Sequence, residues 1–389
     1  MDFNLSEEQK LIAQSVREIV KDFPPEYWRE MDQEHKFPEE FRKVAAKEGF
    51  IGMVIPEEYG GEGLGMLEMC ITTDALAAGG AGISGIWAIG PTQIFGAVPI
   101  SKHGNEAQKE KYLPKMAKGE LEFCMGLTEP DAGSNTLNTS TMAVKDGDEY
   151  VINGKKIFIT NADRADGMLL ITRTTPLDKA PRKIMGITLF LVDLPDPTVE
   201  IVPIEKHGLH CVNSCEIFID NLRVPEENIL GEVDMGLFPL FDVLNPERVG
   251  SSAAVIGCGS LAVNTAVEYA KAREVFGVPI SRHQAIQFPL ATAKAKLETA
   301  KLMVYKAALL MDEGEECMAE TCMAKLMAVE AGEYAVYHAM QTFGGYGYAV
   351  EYDVERWWRE MNLWRLAPVT QEMTLAMLGQ NVMGMGRSY

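Results

Sequence analysis

The feature that most constrains this chain is a change of hydrophobic period, helical to strand-like and back, along its 389 residues. Residues 1–122 read as helical. Leu5, Leu11, Ile12 and Val16 recur at helical spacing, and Ser6 with Gln9 forms a capping-box pattern. Pro38 to Glu48 continues the pattern, with Pro near its start and Gly49 just past its end. The stretch Ile55 to Gly61 is a turn by its Pro and Gly content, after which helices resume over Leu67–Ala78 and Glu106–Met116.

Residues 123–232 change character. Tyr150–Thr160, Gly167–Arg173, Gly186–Leu194, Glu200–Ile204 and Cys215–Asp220 are short and rich in β-branched residues, and Gly, Asp, Asn and Pro separate them. Residues 233–389 return to long helical periods over Pro246–Arg273, Gln284–Glu313 and Glu316–Gln341, with a shorter helix after Thr370. This order predicts an α+β chain: an N-terminal helical domain, a central antiparallel β domain, and a C-terminal helical domain that packs with the first around it.

Charge and cysteine content narrow the function. A net charge of −20 opposes nucleic-acid binding, which needs a basic face. Seven Cys, an odd number in a long chain, argue against a disulfide framework and suit a reducing cytoplasm. No unbroken run of about 18 apolar residues predicts a membrane span. The segment Met1–Lys10 lacks the basic and apolar regions of a signal peptide. The 47% hydrophobic content is ample for a large core.

Several motifs then line up in order. Phe123 to Ser134 contains Met125, Leu127, Thr128-Glu129-Pro130, Gly133 and Ser134; Asn153 to Asn161 contains Phe158-Ile159-Thr160. Arg273-Glu274-Val275-Phe276-Gly277 precedes His283-Gln284, and Gln341-Thr342-Phe343-Gly344-Gly345 follows. Together they resemble the acyl-CoA dehydrogenases, whose T-E-P-x-A-G-S, G-x-K-x-(W/F)-I-T-N, R-x-x-F-G with H-Q, and Q-x-x-G-G-x-G motifs they match across nearly the whole chain. The resemblance implies a C-terminal four-helix bundle, an FAD cofactor and an acyl-CoA or enoyl-CoA substrate. It also implies electron-transferring flavoprotein as partner and a homo-oligomer, usually a tetramer.

Under that resemblance Met125, Leu127, Thr128, Gly133, Ser134, Phe158, Ile159 and Thr160 face the flavin, and Ser134 also touches the CoA part of the substrate. Arg273, whose planar fork suits a pyrophosphate, belongs with Phe276, His283, Gln284, Gln341, Phe343, Gly344 and Gly345 to the rest of the FAD site. Gln341 and the glycine pair resemble the stretch that reaches a neighbouring subunit's FAD. Met69 and Ala97 fall where the acyl pocket is expected.

In most of the family a glutamate in E-G-T-x-E is the base for the α-proton, and its backbone N–H binds the thioester oxygen. Here Thr370 and Glu372 match the end of that motif, and both are assigned to the cofactor site. Pro368 holds the base position and Val369 the glycine. Proline is no base and has no N–H to donate. The segment Asn245-Pro246-Glu247-Arg248 resembles members, such as crotonobetainyl-CoA reductase-like ones, that keep a carboxylate in an E-R context instead. Glu247 is therefore the expected catalytic acid or base, with Asn245 and Arg248 as substrate-binding residues. Asn as cap and Pro at the first position predict that a helix opens there. A helix N-terminus would lower the Glu247 pKa and burial would raise it, and sequence does not decide between them.

His207, His210, Cys211 and Cys215 crowd together, but their spacing matches no zinc pattern and they are read as structural. Two other functions stay open: non-redox elimination on an acyl-CoA, and silent binding of FAD or acyl-CoA.

Overall fold

The structure, a computed structural model, describes residues 4–386. Its N-terminal part is helical. Glu7–Val20 opens with the expected capping box: Ser6 Oγ accepts from Gln9 N at 3.1 Å, and Gln9 Oε1 accepts from Ser6 N at 3.0 Å. Val16 is buried, but Leu11, expected on the apolar face, is 63% exposed. Glu39–Lys47 ends before Gly49, whose φ of +77° is the left-handed conformation favoured at a helix end. Met66–Leu76 runs into two short π-helical turns, Ala77–Ala81 and Thr92–Ala97, on either side of Gly82–Trp87.

The middle part is a sheet. Glu149–Thr160, Gly167–Arg173, Ile187–Asp193, Val199–Pro203 and Ser214–Pro225 lie close to the expected spans. Phe123–Gly126 and Met142–Asp146 escaped the sequence pattern, as did the two-residue strands Ile229–Leu230, Glu274–Val275 and Val278–Pro279. The sheet is not antiparallel throughout, because Phe123–Gly126 runs parallel to Gly167–Arg173, from Phe123 opposite Gly167 to Gly126 opposite Leu170. The two partners are distant in sequence, so no local turn signal announces the pairing. A β core that includes Ile152, Ile159, Phe190 and Ile217 fills the space beneath the strands.

The C-terminal part has three long helices, Leu237–Ala272, Gln284–Asp312 and Met318–Phe343, with the shorter Val354–Met361 and Gln371–Met377 packed on the third. Met66–Leu76 packs on the first two, so one core joins both helical parts.

The first long helix corrects the sequence reading. It begins at Leu237, and Pro246 lies inside it rather than at its first turn. Asn245 therefore caps nothing. Burial of Leu237, Leu240 and Val243 holds the extra turns that Pro246 was expected to forbid. Two helical stretches, Met66–Trp87 and Leu237–Ala272, are long and apolar enough to cross a membrane by length and composition, which unbroken apolar runs did not reveal. Of their most apolar windows, 83% and 78% are buried inside the protein. Packing accounts for that apolarity.

Candidate active site

Glu247 sits within the 36-residue helix, in its interior and 8% exposed. The choice left open by sequence is thereby settled: the N-terminal dipole is out of reach, and burial, only partly opposed by Arg248, raises the carboxyl pKa to about 8. Among the described residues no hydrogen bond reaches that carboxylate. Its place on the helix gives its direction. Residues three, four and seven apart share a face. A Cβ on Gly250, one turn on, would lie 3.0 Å from Met69 Cε and 3.4 Å from Ile94 Cδ1, and one on Gly257 would meet the Asp74 carbonyl. Glu247 thus belongs to the stripe that faces Met66–Leu76 and Thr92–Ala97, where buried Met69 and Ala97 lie. Arg248 points to another side and donates from Nη1 to Asn245 Oδ1 at 2.7 Å.

The Thr128-Glu129-Pro130 loop is tied to the Phe158–Thr160 strand by a buried ion pair that sequence reasoning did not assign. Lys156 Nζ donates to Glu129 Oε1 at 2.7 Å and to the Leu127 carbonyl at 3.1 Å. Glu129 also accepts from Ser140 and Thr141, and Ile157 N donates to the Thr128 carbonyl at 2.9 Å. Burial alone would raise the Glu129 pKa, but the Lys156 charge and these hydrogen bonds outweigh it and hold the carboxyl at about 2. Burial lowers the Lys156 pKa to about 8 against the pull of Glu129. Both residues stand inside motifs already singled out; a lysine and a glutamate in strand and loop that must be buried together was the signal available.

Past Lys156 the strand bulges. Its pairing with Ser214–Pro225 shifts register between Lys156 and Ile159, and Phe158 takes a φ of +60° with its ring 62% exposed. A bulky residue in that conformation is strained by about 1–3 kcal/mol, and such strain clusters at ligand sites. Ile159 points into the β core, so only its backbone is left for a cofactor. Leu127 is buried, and Gly133 and Ser134 are exposed; a Cβ on Gly133 would meet nothing within 4 Å, so nothing in the protein requires glycine there. Met125, Thr128 and Thr160 are partly exposed along the same edge.

The remaining expected cofactor residues gather elsewhere. Arg273, Phe343, Gly344 and Gly345 line a surface pocket of about 560 Å³ with Tyr269 and Tyr346. Phe343 stacks on Tyr269 at 4.0 Å, and the Arg273 guanidinium lies 6.0 Å from the Tyr346 ring. Phe276 is 93% exposed at a φ of +55°, His283 holds the N-cap position of Gln284–Asp312 without a side-chain capping bond, and Gln284 and Gln341 are exposed. A cationic fork, exposed rings and open glycine backbone fit a dinucleotide's pyrophosphate and adenine. Twenty-six residues of helix separate Glu247 from Arg273, about 40 Å at ~1.5 Å per residue. Glu247 lies in the helix interior and Arg273 at its C-terminal cap.

Thr370 caps Gln371–Met377, its Oγ1 accepting from Met373 N at 3.2 Å, and Glu372 is exposed in that helix's first turn. The His and Cys cluster makes contacts of its own. His210 pairs with Asp32 at 3.2 Å and stacks on His35, while Cys211 and Cys215 are buried. Among the described residues no group of three or more His, Cys, Asp or Glu converges to hold a metal.

Three family models match consecutive parts of the chain: the N-terminal domain of acyl-CoA dehydrogenase over residues 6–120, its middle domain over 124–222 and its C-terminal domain over 236–383. The chain is 36% identical to acyl-CoA dehydrogenase FadE12 of Mycobacterium tuberculosis, over 99% of this chain and 98% of that one. It is 36% identical to the caffeyl-CoA reductase–Etf complex subunit CarC of Acetobacterium woodii, over 95% and 96%. The solved butyryl-CoA dehydrogenase of Megasphaera elsdenii superposes with a TM-score of 0.93 at 31% identity, covering 98% of this chain and 100% of that one.

Proposed function

The chain belongs to the acyl-CoA dehydrogenase family, FAD-binding oxidoreductases acting on the CH–CH bond of acyl-CoA, and from that premise we propose that it interconverts an acyl-CoA and its α,β-enoyl-CoA with Glu247 as the acid–base group. The observation that carries the reading is the placement of Glu247. It is the buried carboxylate on the helix face toward Met69 and Ile94, unbonded and ready to exchange a proton at the substrate α-carbon. Bound FAD supplies the two-electron exchange at the β-carbon. A carboxyl with a pKa near 8 is mostly protonated at neutral pH, so it starts as an acid. That state suits protonation of the α-carbon, the enoyl-reducing direction, and CarC is named as a reductase.

On this chain Phe158, Thr160, Thr128 and Gly133 would hold the flavin end, and Ser134, Asn245 and Arg248 the CoA thioester. Arg273 stands about 40 Å along the helix from Glu247, farther than one dinucleotide spans, and Phe343, Gly344 and Gly345 line the pocket beside it. They would therefore serve the FAD of a second copy, and the working unit is a homo-oligomer. Electron-transferring flavoprotein is the proposed redox partner, as the name of the CarC complex suggests. The seven buried free thiols suit a reducing cytoplasm.

Anaerobic titration of the flavin spectrum with acyl-CoA and enoyl-CoA thioesters tests the reading. Some thioester should reduce the bound flavin or reoxidise its reduced form. Glu247→Gln should keep FAD and lose this response. Unchanged turnover in that variant overturns the assignment of Glu247; elimination without an electron acceptor overturns the reaction class.

A further inference from the structure

Three aromatic rings stand in one stack beside the proposed reaction centre. Phe95 and Trp87 lie 6.4 Å apart with planes at 19°, and Trp87 and Trp364 lie 5.4 Å apart at 8°. All three are buried. Their neighbours locate them. The Trp87 carbonyl accepts from Asn161 Nδ2 at 3.3 Å, and Asn161 directly follows the Phe158–Thr160 strand. Phe95 shares the Thr92–Ala97 turn with Ile94, which faces the helix one turn from Glu247. Trp364 stands four residues before Pro368. The stack thus bridges the flavin edge, the Glu247 face and the loop that has lost the usual base.

Such a slab has an uncommon surface. Stacked rings present to their side an edge of partly positive C–H groups. The Trp364 indole N–H is buried with no acceptor among the described residues. A buried donor without a partner is costly, and a ligand that supplies an acceptor removes that cost. Met69, Ile94 and Ala97 add only apolar atoms nearby. A straight alkyl chain would gain dispersion from this wall and nothing more. A flat ring with a negative π face would gain an edge-to-face contact as well, and a ring oxygen could accept from Trp364.

We propose that this stack selects thioesters whose acyl group carries an aromatic ring conjugated to, or next to, the α,β bond, with a ring oxygen favoured. The inference rests on the acyl-CoA reading and names the substrate class for the same site.

Binding to the oxidised holoenzyme tests it, because an enoyl thioester then has no reductant and only its affinity is read. Cinnamoyl-CoA should bind about tenfold more tightly than trans-2-hexenoyl-CoA, the upper range of one aromatic pair. Trp87→Leu should bring that ratio toward one with little change for the hexenoyl thioester. Phe95→Leu, at the end of the stack, should lower it partly and serves if the Trp87 variant does not fold. Trp364→Phe keeps the ring and removes the donor, so it should keep the preference for cinnamoyl-CoA and abolish any added affinity of 4-coumaroyl-CoA. A wild-type ratio near one, or a ratio unchanged in both Trp87→Leu and Phe95→Leu, overturns this inference alone. Failure of every thioester to bind overturns the acyl-CoA reading and this inference with it.

Discussion

Glu247 stands inside a helix, just past an Asn-Pro pair of the kind that usually opens one. The sign of the pKa shift depends on that difference, since a helix end and a buried interior act oppositely on a carboxylate. The raised value has a consequence for stability. The unfolded chain ionises Glu247 near the ordinary value of 4.5, the folded chain near 8, so between them the folded state holds more protons. The contribution of Glu247 is fully present below 4.5 and is lost as pH rises toward 8. Glu247→Gln should therefore gain stability relative to the parent as pH climbs from 5 to 8, measured by denaturant melts across that range. A difference flat with pH would show that the carboxyl is not held protonated.

At the scale of elements, the loop and strand that frame the flavin edge are coupled through Lys156 and Glu129. The sequence displayed both inside motifs, but pairing between a loop and a strand 27 positions apart is tertiary information. Truncating one partner leaves a buried charge alone, so Lys156→Met should cost about 3–5 kcal/mol and loosen FAD, whereas the double variant with Glu129→Gln should recover part of that loss. Urea melts and flavin retention check both. Four of the strands read from β-branched content were legible to within a residue or two, but Ser214–Pro225 runs five residues past its expected end, and Phe123–Gly126 was not legible because its support comes from a parallel neighbour. The bulge at Phe158 was equally hidden, since nothing in a run of strand-forming residues marks a change of register. Thr370 offers a cleaner separation of roles. As an N-cap it should lose about 1 kcal/mol on change to Ala and much less on change to Ser, in thermal melts without FAD. A loss confined to FAD binding would place the hydroxyl on the cofactor instead.

At the scale of the whole molecule, the order helical, sheet, helical was legible from period alone, and the motifs ran along nearly the whole chain. The joining of the two helical parts into one core was not, because it depends on Met66–Leu76 meeting helices that begin at Leu237 and Gln284, far along the chain. The long helix also sets how the proposed cofactor site is divided. Arg273→Ala should weaken FAD binding while leaving the thermal stability of the apoprotein within about 0.5 kcal/mol, since Arg273 is exposed. Equal FAD affinity in parent and variant would remove that pocket from the cofactor site.

A rod that holds Glu247 and Arg273 about 40 Å apart makes cofactor retention a matter of mass action. If each flavin is gripped by two chains, occupancy falls with the square of dilution rather than in simple proportion, and added FAD draws dissociated subunits back together. Apparent affinity for FAD measured at low protein would then understate the grip at high protein, and the melting temperature would climb with enzyme concentration only when cofactor is present.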